Sequence, residues 1–228
     1  MPRAHVIDVA GAALVADPLG ALYHEAERCL IVADLPLEKG SSFAARGVFL
    51  PPYDTAATLA KLTRLVMRHA PRLVLCLGDS FHDPRADRRV SADDAQALRA
   101  LQAGRDWLWI AGNHDPAPPR ALGGEAASEL KLGPLTLRHE PRPGAQPGEI
   151  AGHLHPAARV VSPFGATRRR CFVSDGARCV LPAFGAYAGG LNWRDPAFAG
   201  LFGNAPVTAH VIGRDRVYAV GAARCVGD

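Results

Sequence analysis

The chain has 228 residues, 48% of them hydrophobic and 21% charged, with a net charge of +4 and a pI near 9.0. Those values exclude a fibrous or disordered chain and suit one globular domain with a sizeable core, the organisation expected over residues 1–228. No apolar run reaches the ~20 residues of a membrane helix and the start lacks a long apolar secretory segment, so a cytoplasmic location is the default expectation.

Taken in order, the chain opens with short apolar runs, Ala12-Ala13-Leu14-Val15-Ala16 and Leu30-Ile31-Val32-Ala33, separated by the turn signal Asp17-Pro18-Leu19-Gly20. They predict two or three strands, the last ending at Asp34. Glu38-Lys39-Gly40-Ser41-Ser42 and Leu50-Pro51-Pro52-Tyr53-Asp54 then read as a long loop on the face that carries the site. A helix is predicted from Asp54 or Thr55, with Leu59, Leu62, Leu65 and Val66 as its apolar stripe and Pro71 as its stop. Arg72 to Leu77 reads as a buried strand. A second helix is predicted from Ser91, a fitting N-cap before Asp93-Asp94, to about Ala103, followed by a strand over 107–111.

Residues 116–134, rich in proline and glycine, read as loop. From Leu135 the pattern is strands alone: Leu135-Thr136-Leu137-Arg138, Glu149-Ile150-Ala151, Arg159-Val160-Val161, Cys171-Phe172-Val173, Cys179-Val180-Leu181 and Arg216-Val217-Tyr218-Ala219-Val220. A βαβαβ first half and a strand-rich second half predict an α/β fold of two sheets packed face to face with helices outside. The five cysteines (29, 76, 171, 179, 225) are odd in number, have no CxxC spacing and are expected to be reduced and structural.

The chemistry gathers at strand ends. Trp109-Ile110-Ala111-Gly112-Asn113-His114-Asp115 is an apolar strand that delivers an amide, an imidazole and a carboxylate at its C-terminal end, where open α/β sheets build their sites. Ala33-Asp34, Gly78-Asp79 and Gly152-His153-Leu154-His155 end three further apolar runs in the same way. Any one of these histidines alone reads as an ordinary loop residue; the ordered set D…GD…GNHD…H…GHxH points to a metal site. Oxygen and imidazole donors without thiolate suit manganese, iron or zinc. His153 and His155 share a side if the chain between them is extended, and a carboxylate such as Asp79 can bridge two cations ~3.5–4 Å apart, as in two-metal phosphoesterase sites.

The motifs resemble those of the calcineurin-like metallophosphoesterases. Over roughly residues 12–220 the chain is similar to one branch, the ligase-associated DNA-damage-response metallophosphoesterases. The likeness is carried by Asp34-Leu35 with Leu37-Glu38-Lys39-Gly40-Ser41-Ser42, by Leu50-Pro51-Pro52-Tyr53-Asp54-Thr55, Gly78-Asp79-Ser80-Phe81-His82-Asp83 and Gly112-Asn113-His114-Asp115. It continues through Arg138-His139-Glu140-Pro141, Gly152-His153-Leu154-His155 and Leu181-Pro182-Ala183-Phe184-Gly185. The resemblance implies a four-layer α/β/β/α sandwich, two divalent ions (usually manganese, with iron or zinc as alternatives) and endonuclease activity on single-stranded DNA in repair. It also implies DNA ligase or helicase partners. It assigns Asp34, Asp79 and His155 to the first ion and Asp79, Asn113, His139 and His153 to the second. His114 is expected to touch the scissile phosphate or help the leaving oxygen, with His82 near the same phosphate.

One position departs from the pattern. The superfamily opens with Asp-x-His, whereas this chain has Asp34-Leu35-Pro36, and proline has no ligand atom. Three readings stand open: water fills the place and leaves a weaker but usable site; only the second ion binds well, with slow or no turnover; or His24 or His82 substitutes. Outside the motifs, Arg168-Arg169-Arg170 reads as a basic loop, either solvated surface or a contact for nucleic-acid backbone. Tyr53, Phe81 and Trp193 are candidate stacking faces for unpaired bases, with core or turn packing as the plainer alternative. The leading expectation is a manganese-dependent phosphodiesterase acting on single-stranded DNA. The alternatives are an enzyme for small phosphoesters and a catalytically impaired protein that binds DNA or repair partners.

Overall fold

Runs that are apolar at every position need burial on both faces, and Cys29–Ala33 (β4) and Leu73–Leu77 (β5) form the parallel centre of a seven-stranded sheet. The computed structural model describes residues 4–228 except 49, 52, 118, 119, 164 and 204, so Pro52 of the Leu50–Thr55 motif, Phe164 beside the arginine run and Pro118-Pro119 of the 116–134 segment lie outside the described residues. Before β4 the chain makes an antiparallel meander of His5–Val9 (β1), Ala12–Asp17 (β2) and Ala21–His24 (β3). After β5, Asp106–Ile110 (β6) and Glu125–Ala127 (β7) add in parallel.

The helices Lys39–Ala44 (α1), Asp54–His69 (α2) and Ala92–Gln102 (α3) follow β4 and β5. α2 buries Leu59, Leu62, Leu65 and Val66 at helical spacing, and α3 buries Leu98 and Leu101, all against Val74, Cys76, Trp107 and Trp109 on the sheet's outer face. Ser91 caps α3 by accepting the Asp94 N–H at 3.0 Å.

The second sheet has ten strands: Glu129–Leu132 (β8), Leu135–Arg138 (β9), Glu149–Ala151 (β10), Pro156–Ser162 (β11), Gly165–Ser174 (β12), Cys179–Val180 (β13), Leu191–Asn192 (β14), Thr208–Ile212 (β15), Val217–Gly221 (β16) and Cys225–Val226 (β17). Its inner face, with Leu137, Ile150, Phe172 and Leu181, meets Ile7, Leu14, Ile31 and Leu75 of the first sheet in a core shared by both. The two sheets are mixed and lie face to face, as the metallophosphoesterase sandwich requires. Beyond the second sheet, Trp193, Phe198 and Leu201 cover the outer face from a segment containing a 3₁₀ turn, Pro196–Phe198. All five cysteines are buried free thiols, and among the described residues no helix is long and apolar enough to cross a membrane.

Several elements differ from the sequence reading. Residues 39–44, expected as loop, form α1, because α2 holds that segment: Asp54 Oδ2 accepts the Gly40 N–H and the Thr55 hydroxyl donates to Glu38. Part of the 116–134 loop is strand: β7 pairs with β6, and β8 pairs with β9. β1 and β15 were not foreseen; β1 alternates polar and apolar residues, with Ile7 and Val9 inward. The arginine run lies within β12, not in a loop, paired with β11 so that successive side chains alternate in direction.

Candidate metal centre

β4, β5 and β6 run parallel with Ala33, Leu77 and Ile110 side by side, so the residues that follow all emerge along one edge of the sheet. That register brings Asp34, Asp79 and the Asn113-His114-Asp115 turn together. In the other sheet β9 and β10 are parallel with Arg138 beside Ala151, and the Gly152 N–H donates to the His139 carbonyl at 2.9 Å. His139, His153 and His155 therefore come from the facing edge. Every metal ligand expected from the sequence lies in this one cluster or beside it.

The backbone there is strained. Asp34, Asp79, His153 and His155 have φ of 54°, 43°, 68° and 48°, four of the eight non-glycine residues with positive φ among those described. Each costs roughly 1–3 kcal/mol, and surrounding contacts must hold it. Asp34, fully buried, accepts the His153 N–H at 3.0 and 3.2 Å, and its carbonyl accepts the Gly185 N–H. The glycines before the ligands are needed for close approach. A Cβ at Gly112 would sit 2.2 Å from the Asp79 nitrogen, and one at Gly152 would sit 2.6 Å from Asp34 Oδ2.

Nitrogen and oxygen atoms converge at the centre. The Leu77 carbonyl accepts from His139 Nδ1 at 3.0 Å and so turns Nε2 into the cluster. That nitrogen lies 2.9 Å from Asn113 Oδ1, 3.2 Å from His153 Nδ1 and 3.4 Å from Asp79 Oδ2. The donor atoms of Asp79, His139 and His153 lie within 4.8 Å of one another. Beside them His155 Nε2 is 3.2 Å from Asp34 Oδ1 yet, among the described residues, has no hydrogen-bond partner. Oxygen and imidazole groups crowded at one point, with the buried His155 nitrogen left over, form a donor set that fits a cation.

The electrostatics agree. Burial works against a charge on His139, but the carboxylates of Asp79 and Asp34 overcome it and lift the imidazole to about 9. Burial would raise Asp79, yet the hydrogen bonds from His139 and from the His114 N–H hold it below the ordinary carboxylate value. His153 is pushed down by burial and by its neighbour His139. Positive charge is what this pocket favours.

Around the cluster lie three cavities. A small one of ≈ 100 Å³ is lined by Asp34, Pro36, Lys39, Asp79, His82 and His155 among others. Pro36 thus stands where the superfamily has its extra ligand, at the wall of this cavity. His24 cannot substitute: it pairs with Cys29 at the far end of β4, about 16 Å of strand away from Asp34. His82 does line the cavity, stacked against His114 with ring centroids 6.0 Å apart. A cleft of ≈ 780 Å³ opens past Asn113 and His139, and a groove of ≈ 450 Å³ opens past Asn113, His82 and His114. The His114 side chain is 57% exposed, with Nε2 4.0 Å from Asp79 Oδ2.

Several residues prove central in ways not read from the sequence. Asp115 is buried and accepts the N–H groups of Ser80, Phe81 and Gly112, tying the Asp79 loop to the Asn113 loop. Burial and the Asp79 charge raise it to about 7 in spite of those bonds. Buried Glu149 pairs with Arg138 and Arg178, and Arg178 also donates to the Arg142 and Gly144 carbonyls, fixing the loop after His139. Arg168 and Arg170 donate to the Gly190 and Ala183 carbonyls and fasten the loop that passes Asp34. Of the three stacking candidates, Phe81 and Trp193 are core residues and Tyr53 is 69% exposed.

A two-sheet sandwich with a polar, cation-favouring cluster at the strand ends defines a metal-dependent phosphoesterase. The chain is similar to the nuclease MPE of Pseudomonas putida, at 32% identity and a TM-score of 0.72, over 96% of this chain and 100% of that one. It is also 32% identical over 165 residues to CpdA, the 3′,5′-cyclic adenosine monophosphate phosphodiesterase of Pseudomonas aeruginosa. That match covers 68% of this chain and 55% of CpdA, so the chain spans about half the length of that relative. No family model matches the sequence. The chain belongs to the calcineurin-like metallophosphoesterases.

Proposed function

We propose that this chain is a manganese-dependent phosphodiesterase that cuts single-stranded DNA internally, acting as one domain over residues 1–228. The observation that carries the reading is the meeting of Asp79, Asn113, His139 and His153 donor atoms at one point, flanked by Asp34 and His155, where large clefts open on the surface. Bound divalent ions supply Lewis acidity toward phosphate oxygens and lower the pKa of a coordinated water. Asp34, Asp79 and His155 would hold one ion; Asp79, Asn113, His139 and His153 would hold the other. The tight ring of mixed oxygen and imidazole donors suits manganese, with iron or zinc next.

The chain's own groups do the rest. The His114 N–H holds Asp79 Oδ1 at 2.9 Å, while its exposed imidazole reaches toward a phosphate or leaving oxygen. His82, stacked on His114, keeps that ring oriented; burial, reinforced by Lys39, lowers its pKa and favours its neutral form. Arg169 is the member of the basic run that remains for DNA backbone, since among the described residues its side chain has no hydrogen bond or ion pair. The likeness to the DNA-damage-response branch extends the proposal to DNA repair in the cytoplasm beside a DNA ligase or helicase.

A second reading, hydrolysis of small phosphodiesters, draws on the likeness to CpdA. The comparison to make is kcat/KM in manganese for a single-stranded oligonucleotide against bis-p-nitrophenyl phosphate and cyclic AMP, with Asp79→Asn as the inactive control. Internal cuts by the wild-type chain alone support the nuclease. An intact oligonucleotide beside rapid turnover of the small esters refutes it.

A further inference from the structure

The groove beside His114 is chemically unlike the metal cluster. Its ≈ 450 Å³ volume falls within the range of small-molecule sites, and it is lined by Phe43, Arg46, His82, Pro84, Asn113 and His114. Phe43 stands at the end of α1, half-buried, its ring 5.6 Å from that of His82. Arg46, one turn further on, is exposed, and among the described residues its guanidinium has neither a hydrogen bond nor an ion pair. The groove's acid, Asp83, is held by Arg89 at 2.6 Å. An aromatic face, one unspent cation and a neutralised carboxylate thus adjoin the residues that flank the reaction centre.

We infer that Phe43 and Arg46 form a nucleotide subsite, which takes the residue of a single-stranded DNA substrate next to the scissile phosphodiester, its base against the Phe43 ring and its outer phosphate on Arg46. The inference rests on the nuclease reading above and narrows it. A base has a π-face whatever its identity, so such a subsite tolerates any sequence. A guanidinium forks onto phosphate oxygens. The site would also discriminate between substrates: an aryl phosphodiester has no second phosphate for Arg46, and a polynucleotide always does.

The test compares wild type, Arg46→Ala, Arg46→Lys and Phe43→Leu in manganese, on a single-stranded oligonucleotide and on bis-p-nitrophenyl phosphate. Leucine at 43 keeps apolar packing against His82 while removing the aromatic face. For Arg46→Ala the ratio of oligonucleotide to small-ester kcat/KM should fall about tenfold through KM, with partial recovery in Arg46→Lys. Loss of one phosphate contact should flatten the log–log salt dependence of oligonucleotide KM by about 0.7. Phe43→Leu should lower the same ratio about tenfold and leave the salt slope as in wild type. If wild type cuts the oligonucleotide and the variants keep its ratio and slope, the subsite is wrong and the nuclease reading survives. If wild type turns over the small ester and leaves the oligonucleotide whole, both fall together.

Discussion

Replacing Asp115 by alanine should loosen the metal centre without removing a single proposed ligand. Oδ2 of this residue accepts the N–H groups of Ser80 at 2.8 Å and Phe81 at 3.1 Å, and Oδ1 accepts that of Gly112 at 3.1 Å. Asp115→Ala leaves the Ser80 and Phe81 donors unpaired in a position only 1% exposed, and leaves Gly112 only its 3.4 Å bond to the backbone carbonyl of residue 115. At ~1–3 kcal/mol for each buried orphan, the cost is about 2 kcal/mol at the least, a sizeable share of a typical 5–15 kcal/mol stability. Asp115→Asn keeps the shape and, with its NH₂ turned toward Gly112, gives up only the side-chain bond to that amide, so its cost is about 1 kcal/mol. Urea unfolding should rank the midpoints wild type, then Asn, then Ala. Manganese affinity by titration calorimetry should follow the same order, because the three amides border Asp79 and Asn113. An alanine variant with wild-type midpoint and affinity would show that the two loops hold their shape by other means, and the bracing role would be wrong.

Other outcomes can be checked alongside. Pro36→His places an imidazole at the wall of the cavity that Asp34 and His155 share. It should sharpen the manganese titration and raise turnover; equal stoichiometry and rate in both proteins would rule out a deficit at the first ion. Gly152→Ala drives a methyl group to within 2.6 Å of Asp34 Oδ2 and 2.8 Å of the Ala33 Cβ. At ~1–3 kcal/mol for overpacking it should lower the melting temperature by several degrees and abolish activity, and wild-type behaviour on both counts would refute the close approach. His210 faces His5 at 2.8 Å across the two sheets, with Asp8 and Asp175 lining the adjoining cavity. Burial, then His5, lowers its pKa from 6.5 to about 4, so the folded protein keeps it neutral while the unfolded chain takes up a proton first. Its contribution is complete above 6.5 and is lost as pH falls toward 4, about 2 kcal/mol between pH 7 and pH 5. Urea midpoints across that range should fall in the wild type and fall less in His210→Phe; parallel profiles would exclude the residue.

The six proposed ligands were legible because each stands just past a strand-like run, and a parallel sheet puts such ends side by side. Asp34, Asp79 and Asn113 follow in register for that reason. What escaped the sequence was structure whose cause is tertiary. Lys39–Ala44 has glycine and two serines, poor helix material, and stands as a helix because Asp54 and Thr55 hold its first turn. Glu125–Ala127 and Glu129–Leu132 carry little strand propensity of their own and are strands because β6 and β9 offer partners. Three adjacent arginines look like a loop, yet β12 extends past the core as a hairpin and seats two of them on carbonyls. Asp115 stood out as a carboxylate at a strand end but its bracing role did not, since a carboxylate ending GNHD looks the same whether it braces amides or faces water.

The ownership of the proposed ligands is split: Asp34, Asp79 and Asn113 hang from the seven-stranded layer, and His139, His153 and His155 from the other. Neither layer alone could grip an ion, so each ion would lie across the seam like a rivet. Chelation should then do more than silence the enzyme. It should ease the two layers apart at that edge, and the amides of 34, 79 and 153 should exchange with deuterium sooner than the core strands that lead to them.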